Sequence, residues 1–323
     1  APATKTVTPL FTASPALDET PLVKMSPSIA KARDGLDLVC YLSLPKGVGD
    51  TQVPPEPLPM VLLVHGGPWS RDSWGYHPTH QWLANRGYAV LSVNYRGSTG
   101  FGKAFLNAAN REWAGKMHDD LIDAVDWAID QGIADPKRVA IMGGSYGGYA
   151  TLVGLTFTPD KFACGVGLFG ISNLVTFMND IPPYWRPWQP VLKARIGADP
   201  ETEEGRAFLR QRSPLTYVDR IVRPLLIAQG SNDVRVRQIE SDQIVSAMQS
   251  RKIPVTYLIY PDEGHGFVRR ENRLSFNAVA EQFLAQHLGG RAEPIGQDLA
   301  GSSLRVRAGA AFVPTLARAV RTG

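Results

Sequence analysis

One serine of this 323-residue chain has neighbours that favour nucleophilic chemistry. The stretch Gly143-Gly144-Ser145-Tyr146-Gly147-Gly148 contains the pattern G-x-S-x-G, in which the serine occupies a sharp turn between a strand and a helix. Glycines are needed there because side chains at the flanking positions would collide with neighbouring backbone. The helix that follows points its first amides at the serine, which favours a developing negative charge. Ser145 is therefore the predicted nucleophile.

A serine hydroxyl becomes an effective nucleophile only when a nearby base takes its proton. Among the six histidines, His265 has the most suitable position, in residues 261–267 between a predicted strand and the last predicted helix. His77 and His80 form an H-x-x-H pattern without a third ligand nearby in sequence, so packing or a surface position is favoured over a metal site. We predict His265 as the general base, with no metal and no cofactor.

The base in turn needs a carboxylate that fixes its tautomer and stabilises the imidazolium ion. Asp233 comes shortly after the apolar run 224–228, and the order serine, aspartate, histidine suits a strand–turn–helix nucleophile. Asp219 fits less well because it precedes that strand, and Asp242 because it lies within a helical pattern. Asp262 is the serious competitor to the predicted acid, Asp233.

Acyl transfer also requires backbone amides that stabilise the oxyanion of the intermediate. One is predicted at Tyr146, the residue after the nucleophile. The other is predicted at Gly67, in the loop His65-Gly66-Gly67-Pro68 that follows an early strand. Glycines let this loop approach the substrate oxygen without a Cβ in the way, and His65 is expected close to the substrate.

The elements that must position these residues are alternating strands and helices. The strands are predicted at 36–44, 60–64, 88–93, 138–142, 163–169, 224–228 and 255–260. The helices are predicted at 117–129, 145–155, 238–250 and 272–287. Apolar strands separated by helices predict an α/β fold, with a mostly parallel central sheet and helices on both faces. Ligands bind beyond the carboxyl ends of such strands, where the chemistry-bearing residues lie.

The two ends of the chain carry weaker patterns. Residues 1–30 contain five prolines and no clean periodicity, which predicts a linker or extended N-terminal segment. Residues 31–290 form the predicted catalytic domain, and 291–323 a solvated, arginine-rich C-terminal tail. The chain begins at Ala1 without a signal peptide, so the compartment is left open between the cytoplasm and the periplasm or secretion.

Composition excludes several other classes of protein. The formal net charge of +4 is a small excess, part of which lies at the C-terminus, and it gives little ground for nucleic-acid binding. No apolar run approaches the roughly 18 residues that cross a bilayer, so no membrane partner is expected. The two cysteines define no disulfide framework. The oligomeric state, including a homo-oligomer, is left open.

In combination these motifs resemble the catalytic domain of the prolyl oligopeptidase family of serine peptidases, which has the α/β-hydrolase fold. Within the family, the resemblance is to the acylaminoacyl-peptidase and dipeptidyl-peptidase-like branch. It covers about residues 15–290. The stretches that carry it are Arg33-Asp34-Gly35-Leu36, His65-Gly66-Gly67-Pro68, Asn94-Tyr95-Arg96-Gly97-Ser98, Gly143-Gly144-Ser145-Tyr146-Gly147-Gly148-Tyr149, Gly230-Ser231-Asn232-Asp233 and Glu263-Gly264-His265-Gly266.

The resemblance implies a substrate site beside the triad. Arg235 would bind a peptide carbonyl upstream of the scissile bond. Ile171, Leu174, Phe177 and Val236 would line the pocket for the residue that precedes this bond. Family members carry a β-propeller ahead of the hydrolase domain, so we expect this chain to be excised from, or a truncated form of, such a longer chain.

The sequence thus predicts a serine peptidase that cleaves oligopeptide or acylaminoacyl bonds through an acyl-enzyme on Ser145. Its partner would be a short peptide or a small ester. The alternative is a carboxylesterase acting on short-chain esters, because the same triad cleaves activated esters more easily than amides. A distant alternative is a non-catalytic interaction module, against which the intact triad argues.

Overall fold

The strands of the protein form one sheet that places the chemistry-bearing loops at a single edge. The computed structural model describes residues 7–8, 10–11, 14–15, 17, 21–48 and 53–322. Within these residues the sheet has nine strands in the order β1-β2-β4-β3-β5-β6-β7-β8-β9. They are β1 (Met25–Lys31), β2 (Asp37–Ser43), β3 (Leu58–Val64), β4 (Ala89–Asn94), β5 (Ala134–Gly144), β6 (Cys164–Leu168), β7 (Leu225–Gly230), β8 (Val255–Tyr260) and β9 (Arg305–Ala308).

The six central strands, from β4 to β8 in the order of the sheet, run parallel, and β1, β2 and β9 pair antiparallel at its two edges. The α-helices are α1 (Pro78–Asn85), α2 (Lys103–Asn107), α3 (Lys116–Asp130), α4 (Tyr146–Phe157), α5 (Leu174–Asn179), α6 (Gln189–Leu192), α7 (Glu203–Gln211), α8 (Gln238–Ser250), α9 (Arg270–Leu288) and α10 (Leu316–Thr322). Short 3₁₀ or π turns lie at Pro183–Trp188, Lys193–Gly197, Pro214–Arg220 and Ala310–Phe312.

Alternate residues of the strands are buried on opposite faces, as a sheet with two cores requires. In β3, Met60 and Leu62 pack in the core that α3, α4 and α8 cover, whereas Val61 packs in the core under α1 and α9. Both faces of the parallel strands are therefore apolar, and this explains why their sequences are continuous apolar runs. The fold class predicted from the sequence is the one observed. Across the part of the chain that the structure describes, no helix has the length and apolar character needed to cross a membrane.

The two predicted end segments differ from the structure. Much of the predicted linker 1–30 lies outside the described residues, but its last part belongs to β1, which pairs with β2 along its whole length. The predicted tail 291–323 is also part of the fold, because β9 pairs with β8 and both Val313 and Leu316 are buried. Edge strands such as β1, with Pro27, are defined by pairing rather than by hydrophobicity, so the sequence pattern did not reveal them.

Candidate active site

The predicted nucleophile is the single residue between the end of β5 and the start of α4. Ser145 has φ +59° and ψ −119°, a strained conformation for a residue with a Cβ atom, and its amide donates to Leu168 O of β6 at 3.0 Å. The flanking glycines are required sterically. A Cβ atom at Gly147 would lie 2.1 Å from Val64 O, and one at Gly143 would lie 2.6 Å from the same atom. The motif therefore exists because β3 and α4 approach closely behind the serine.

The predicted base and acid follow neighbouring strands, β8 and β7, and are hydrogen bonded to each other. His265 Nδ1 lies 2.6 Å from Asp233 Oδ2. The other carboxylate oxygen of the buried Asp233 accepts the amides of Arg235 and Val236, at 2.8 and 2.9 Å. Because an ionised carboxylate only accepts, Nδ1 carries the proton, and Nε2 is left to take a proton from a serine hydroxyl. The ring of Phe169 packs against the imidazole, with centroids 4.8 Å apart.

The loop that carries His265 is fixed by a buried carboxylate. Glu263 accepts the amides of Val268 and Arg269, both at 2.9 Å, and the side chain of Asn272 at 2.8 Å. The competitor acid Asp262 instead points to the start of α9, where it binds Arg269 and Asn272. The sequence suggested Glu263 only as part of a motif, and its role in holding the loop emerges from the fold.

Two cavities meet at the serine. Ser145 and Gly67 line both of them, the larger of about 910 Å³ and the smaller of about 380 Å³. His265 and Arg235 line the larger cavity, and Tyr146 lines the smaller one. A scissile carbonyl at this junction would meet the nucleophile, the base and the predicted oxyanion amides together.

The smaller cavity is apolar and aromatic. Ile171, Phe177 and Val236 line it, as the resemblance implied, together with Trp113. Leu174 does not line it and requires a correction. It is fully buried in the core cluster, so it presents no surface to a substrate. Trp113, Trp185 and Trp188 also line this cavity, and they lie in segments where the sequence analysis identified no functional motif.

A buried acid holds the wall of this smaller cavity in place. Glu240 of α8 accepts the amides of Ser172 and Asn173, both at 2.9 Å, and the hydroxyl of Thr176. Burial raises the pKa of Glu240, and these donors act in the opposite direction. Glu240 was missed by the sequence analysis because an acid on an amphipathic helix ordinarily faces solvent.

The oxyanion loop is supported by the ring of His65. This imidazole is stacked on Tyr95 with centroids 4.5 Å apart, and its nitrogens lie 2.8 Å from Gly66 O and 3.0 Å from Ser98 Oγ. Burial lowers the pKa of His65 to about 4, so the ring is neutral near pH 7. His65 lines the larger cavity, but both nitrogens are engaged within the protein. This geometry favours support of Gly67 over direct substrate contact.

The turn that carries Ser98 is anchored by an ion-pair network linking two of the stretches noted in the sequence. Arg96 binds Asp120 of α3, with Nη2 2.7 Å from Oδ1, and Asp34, with Nη1 2.9 Å from Oδ2. The hydrogen bond from Arg96 holds the pKa of Asp34 well below its usual range. These ion pairs join the stretches around Arg33 and Asn94 to each other and to α3.

The two histidines of the H-x-x-H pattern have different places, because His77 caps α1 and lines the larger cavity, whereas His80 packs in the core. His80 is buried, and its two ring nitrogens lie 3.0 Å from Ser43 Oγ and 2.9 Å from Ser92 Oγ. Burial lowers the pKa of His80 to about 3. Both nitrogens are therefore used by neighbouring strands, in agreement with the packing role favoured from the sequence.

One carboxylate of the larger cavity lacks a partner. Asp72 lines this cavity, and its buried Oδ2 has no hydrogen-bond partner among the described residues. Its backbone amide donates to Asn94 Oδ1 at 2.9 Å, which fixes the residue in place. Burial raises the pKa of Asp72 to about 7. The structure thus holds a carboxyl group that keeps its proton to unusually high pH.

Asp72→Asn is expected to remove a pH dependence of stability. The folded pKa of about 7 exceeds the ordinary aspartate value of 3.8, so the folded protein loses stability as pH rises between these values. The loss reaches up to about 4 kcal/mol above pH 7. The asparagine variant should therefore unfold at higher urea than the wild type at pH 8 and at a similar concentration near pH 4. Asp160→Asn, at an exposed carboxylate, is the control, and parallel pH curves for wild type and Asp72→Asn would contradict the assignment.

Comparison with known proteins finds relatives among peptidases. Residues 74–291 match the model of the prolyl oligopeptidase family. The chain is 61% identical over 318 residues to dipeptidyl aminopeptidase BIII of Pseudoxanthomonas mexicana, covering 98% of this chain and 46% of that protein. It is 50% identical over 280 residues to dipeptidyl peptidase family member 6 of Caenorhabditis elegans, covering 82% and 38%.

A solved structure shows the same fold. The puromycin-hydrolyzing peptidase of Mycobacterium tuberculosis superposes with a TM-score of 0.77 at 32% sequence identity, covering 86% of this chain and 42% of that one. The chain thus spans less than half the length of each of these proteins.

Proposed function

The chain belongs to the prolyl oligopeptidase family of serine peptidases, as its sequence predicts, and on this premise we propose that it cleaves short peptides through an acyl-enzyme on Ser145. The observation that carries the proposal is the Asp233–His265 hydrogen bond of 2.6 Å, at a cavity that Ser145 and His265 both line. The carboxylesterase hypothesis remains the alternative.

In the proposed reaction Ser145 Oγ attacks the scissile carbonyl while His265 Nε2 takes its proton. The amides of Tyr146 and Gly67 stabilise the oxyanion; Tyr146 is the first residue of α4, so its amide has no partner within the helix. His265 then gives its proton to the leaving amine as the scissile C–N bond breaks, and the acyl group stays bound to Ser145 Oγ. In the second half of the reaction a water molecule gives a proton to His265 and attacks the acyl carbonyl. The bond to Ser145 Oγ then breaks as His265 returns the proton to the serine.

The substrate class follows from the cavities and from the relatives. An apolar side chain preceding the cleaved bond fits the smaller cavity, where Ile171, Phe177 and Val236 lie. Two relatives are named as dipeptidyl peptidases, which supports release of amino-terminal dipeptides here. A longer parent chain with a β-propeller stays a prediction, and the greater length of the relatives supports it. Residues 31–290 then form the core of the catalytic unit, which the edge strands extend.

The direct test compares a dipeptide anilide that has an apolar second residue with nitrophenyl acetate. A peptidase should hydrolyse the anilide. If hydrolysis of the acyl-enzyme is slower than its formation, the acyl-enzyme should accumulate. Rapid hydrolysis of the acetate with no turnover of any peptide anilide would instead support the carboxylesterase.

Arg235→Ala should discriminate between peptide and ester substrates. The exposed Arg235 side chain lines the larger cavity and has no hydrogen-bond or ion-pair partner among the described residues. A bond from its guanidinium to an upstream peptide carbonyl would contribute about 1.5–3 kcal/mol. We therefore expect kcat/KM for the dipeptide anilide to fall by roughly 10- to 150-fold more than that for nitrophenyl acetate.

The matched control is Arg237→Ala. Arg237 is also exposed, but it pairs with Asp180 and does not line either cavity. If Arg235→Ala lowers both rates equally, Arg235 supports the Asp233 loop and does not recognise substrate.

A further inference from the structure

The two cavities separate the two halves of a substrate. The leaving fragment must depart beside His265, because this residue protonates the leaving amine and must lie within hydrogen-bond reach of it. His265 lines the larger cavity and is not among the residues that line the smaller one. Beyond His265, the wall of the larger cavity is formed by the first turns of α9.

That wall carries two arginines. Arg270 and Arg273 both line the larger cavity and are exposed to it. Arg273 donates to the backbone carbonyl of Val268, whereas the side chain of Arg270 has no ion-pair or hydrogen-bond partner in the described ranges. Arg269 differs from both, because it pairs with Asp262 and does not line the cavity. An uncompensated guanidinium at this point has the chemistry of an anion site.

The surroundings make this part of the cavity positive. Arg270 begins α9, whose unpaired first amides add to the positive potential, and the loop before it is held rigid by Glu263. Among the described residues that line the cavity, Asp72 has the only carboxylate, and its burial raises its pKa to about 7. Among the lining residues, Arg235, Arg270 and Arg273 therefore outweigh the acidic charge. Of the acids near the start of α9, Asp262 and Glu271 pair with Arg269, and Glu263 accepts the amides of Val268 and Arg269.

We propose that Arg270, assisted by Arg273, binds the C-terminal carboxylate of the leaving peptide. This inference rests on the proposed peptidase function and adds to it a selection for short leaving fragments. Guanidinium groups bind carboxylates through paired, charge-assisted hydrogen bonds. The end of a short leaving peptide places its carboxylate beyond the leaving amine, where α9 forms the cavity wall. An amidated or much longer leaving fragment cannot present a carboxylate there.

The test uses two peptides that are identical except for a C-terminal carboxylate or carboxamide on a leaving dipeptide. We expect the wild-type chain to cleave the peptide with the free carboxylate with a kcat/KM roughly 5- to 30-fold higher than that for the carboxamide peptide. An exposed charge-assisted contact contributes about this much. This ratio should fall towards one in Arg270→Gln, recover in part in Arg270→Lys and reverse in Arg270→Glu. It should also fall at high ionic strength, because exposed charges are screened.

The matched control is Arg305→Gln, an exposed arginine of β9 that does not line the cavity, and it should keep the wild-type ratio. Equal cleavage of both peptides by the wild type, or an unchanged ratio in Arg270→Gln, would overturn the inference and leave the peptidase function standing. Failure to cleave either peptide would overturn both. A third peptide has an amidated leaving fragment that contains a glutamate. If the glutamate raises kcat/KM as much as the terminal carboxylate does, the assignment to the terminal carboxylate is overturned.

Discussion

Ser145→Ala is expected to lower kcat for a peptide anilide by roughly 10⁶-fold, because loss of the nucleophile disables the whole catalytic unit. The residual rate would come from substrate binding and the oxyanion amides alone. The substitution removes only the hydroxyl and keeps the Cβ atom that the strained turn already accommodates. The fold and its unfolding transition should therefore stay close to those of the wild type.

The measurement is steady-state hydrolysis together with labelling by a fluorophosphonate. The label should attach to Ser145 in the wild type and be absent from the alanine variant. Ser250→Ala, at an exposed serine ending α8, is the control and should label normally. Labelling of a different serine, or retained activity in Ser145→Ala, would refute the nucleophile assignment.

Asp233→Asn is expected to lower kcat/KM by roughly 10⁴-fold by fixing the wrong tautomer of His265. The amides of Arg235 and Val236 require an acceptor, so the amide oxygen of the asparagine should face them. Its NH₂ group would then face His265 Nδ1, which must become an acceptor. The proton moves to Nε2, and the imidazole can no longer take a proton from Ser145.

The competing acid provides a matched control for this experiment. Asp262→Asn changes a carboxylate that binds Arg269 and Asn272, so its effect on kcat/KM should stay within a few-fold. Both variants should retain the wild-type fold by circular dichroism. A greater loss of activity in Asp262→Asn than in Asp233→Asn would reverse the assignment of the acid.

Several features of this site were predictable because their causes are local. Gly143, Gly147 and the apolar strand before them define the nucleophile turn within a few residues. The positions of Asp233 and His265 were also predictable, because parallel strands end at one edge of a sheet and each residue follows such a strand. For these residues, chain order and strand periodicity contain the necessary information.

Other features depend on contacts between distant parts of the chain. Glu240 holds the cavity wall through Ser172, 68 residues away in sequence, and an amphipathic helix pattern gives no sign of it. Leu174 and Phe177 lie in the same short helix, yet only Phe177 reaches the cavity, because packing beneath α5 buries Leu174 completely. Asp72 Oδ2 likewise lacks a hydrogen-bond partner because no donor among the described residues lies within reach, and this depends on how distant segments pack.

The sequence by itself thus determined the class of fold, and it predicted the nucleophile, the base, the acid and the oxyanion loop, since each follows from a short pattern at the end of a strand. Only the tertiary structure decided how far the fold extends and what surrounds the reacting atoms. It added β1 and β9 as paired edge strands, and it placed Arg270 in the cavity that His265 also lines, while Arg269 pairs with Asp262. The physical reason is that pairing, burial and charge compensation are set by neighbours in space, which a local sequence pattern does not specify.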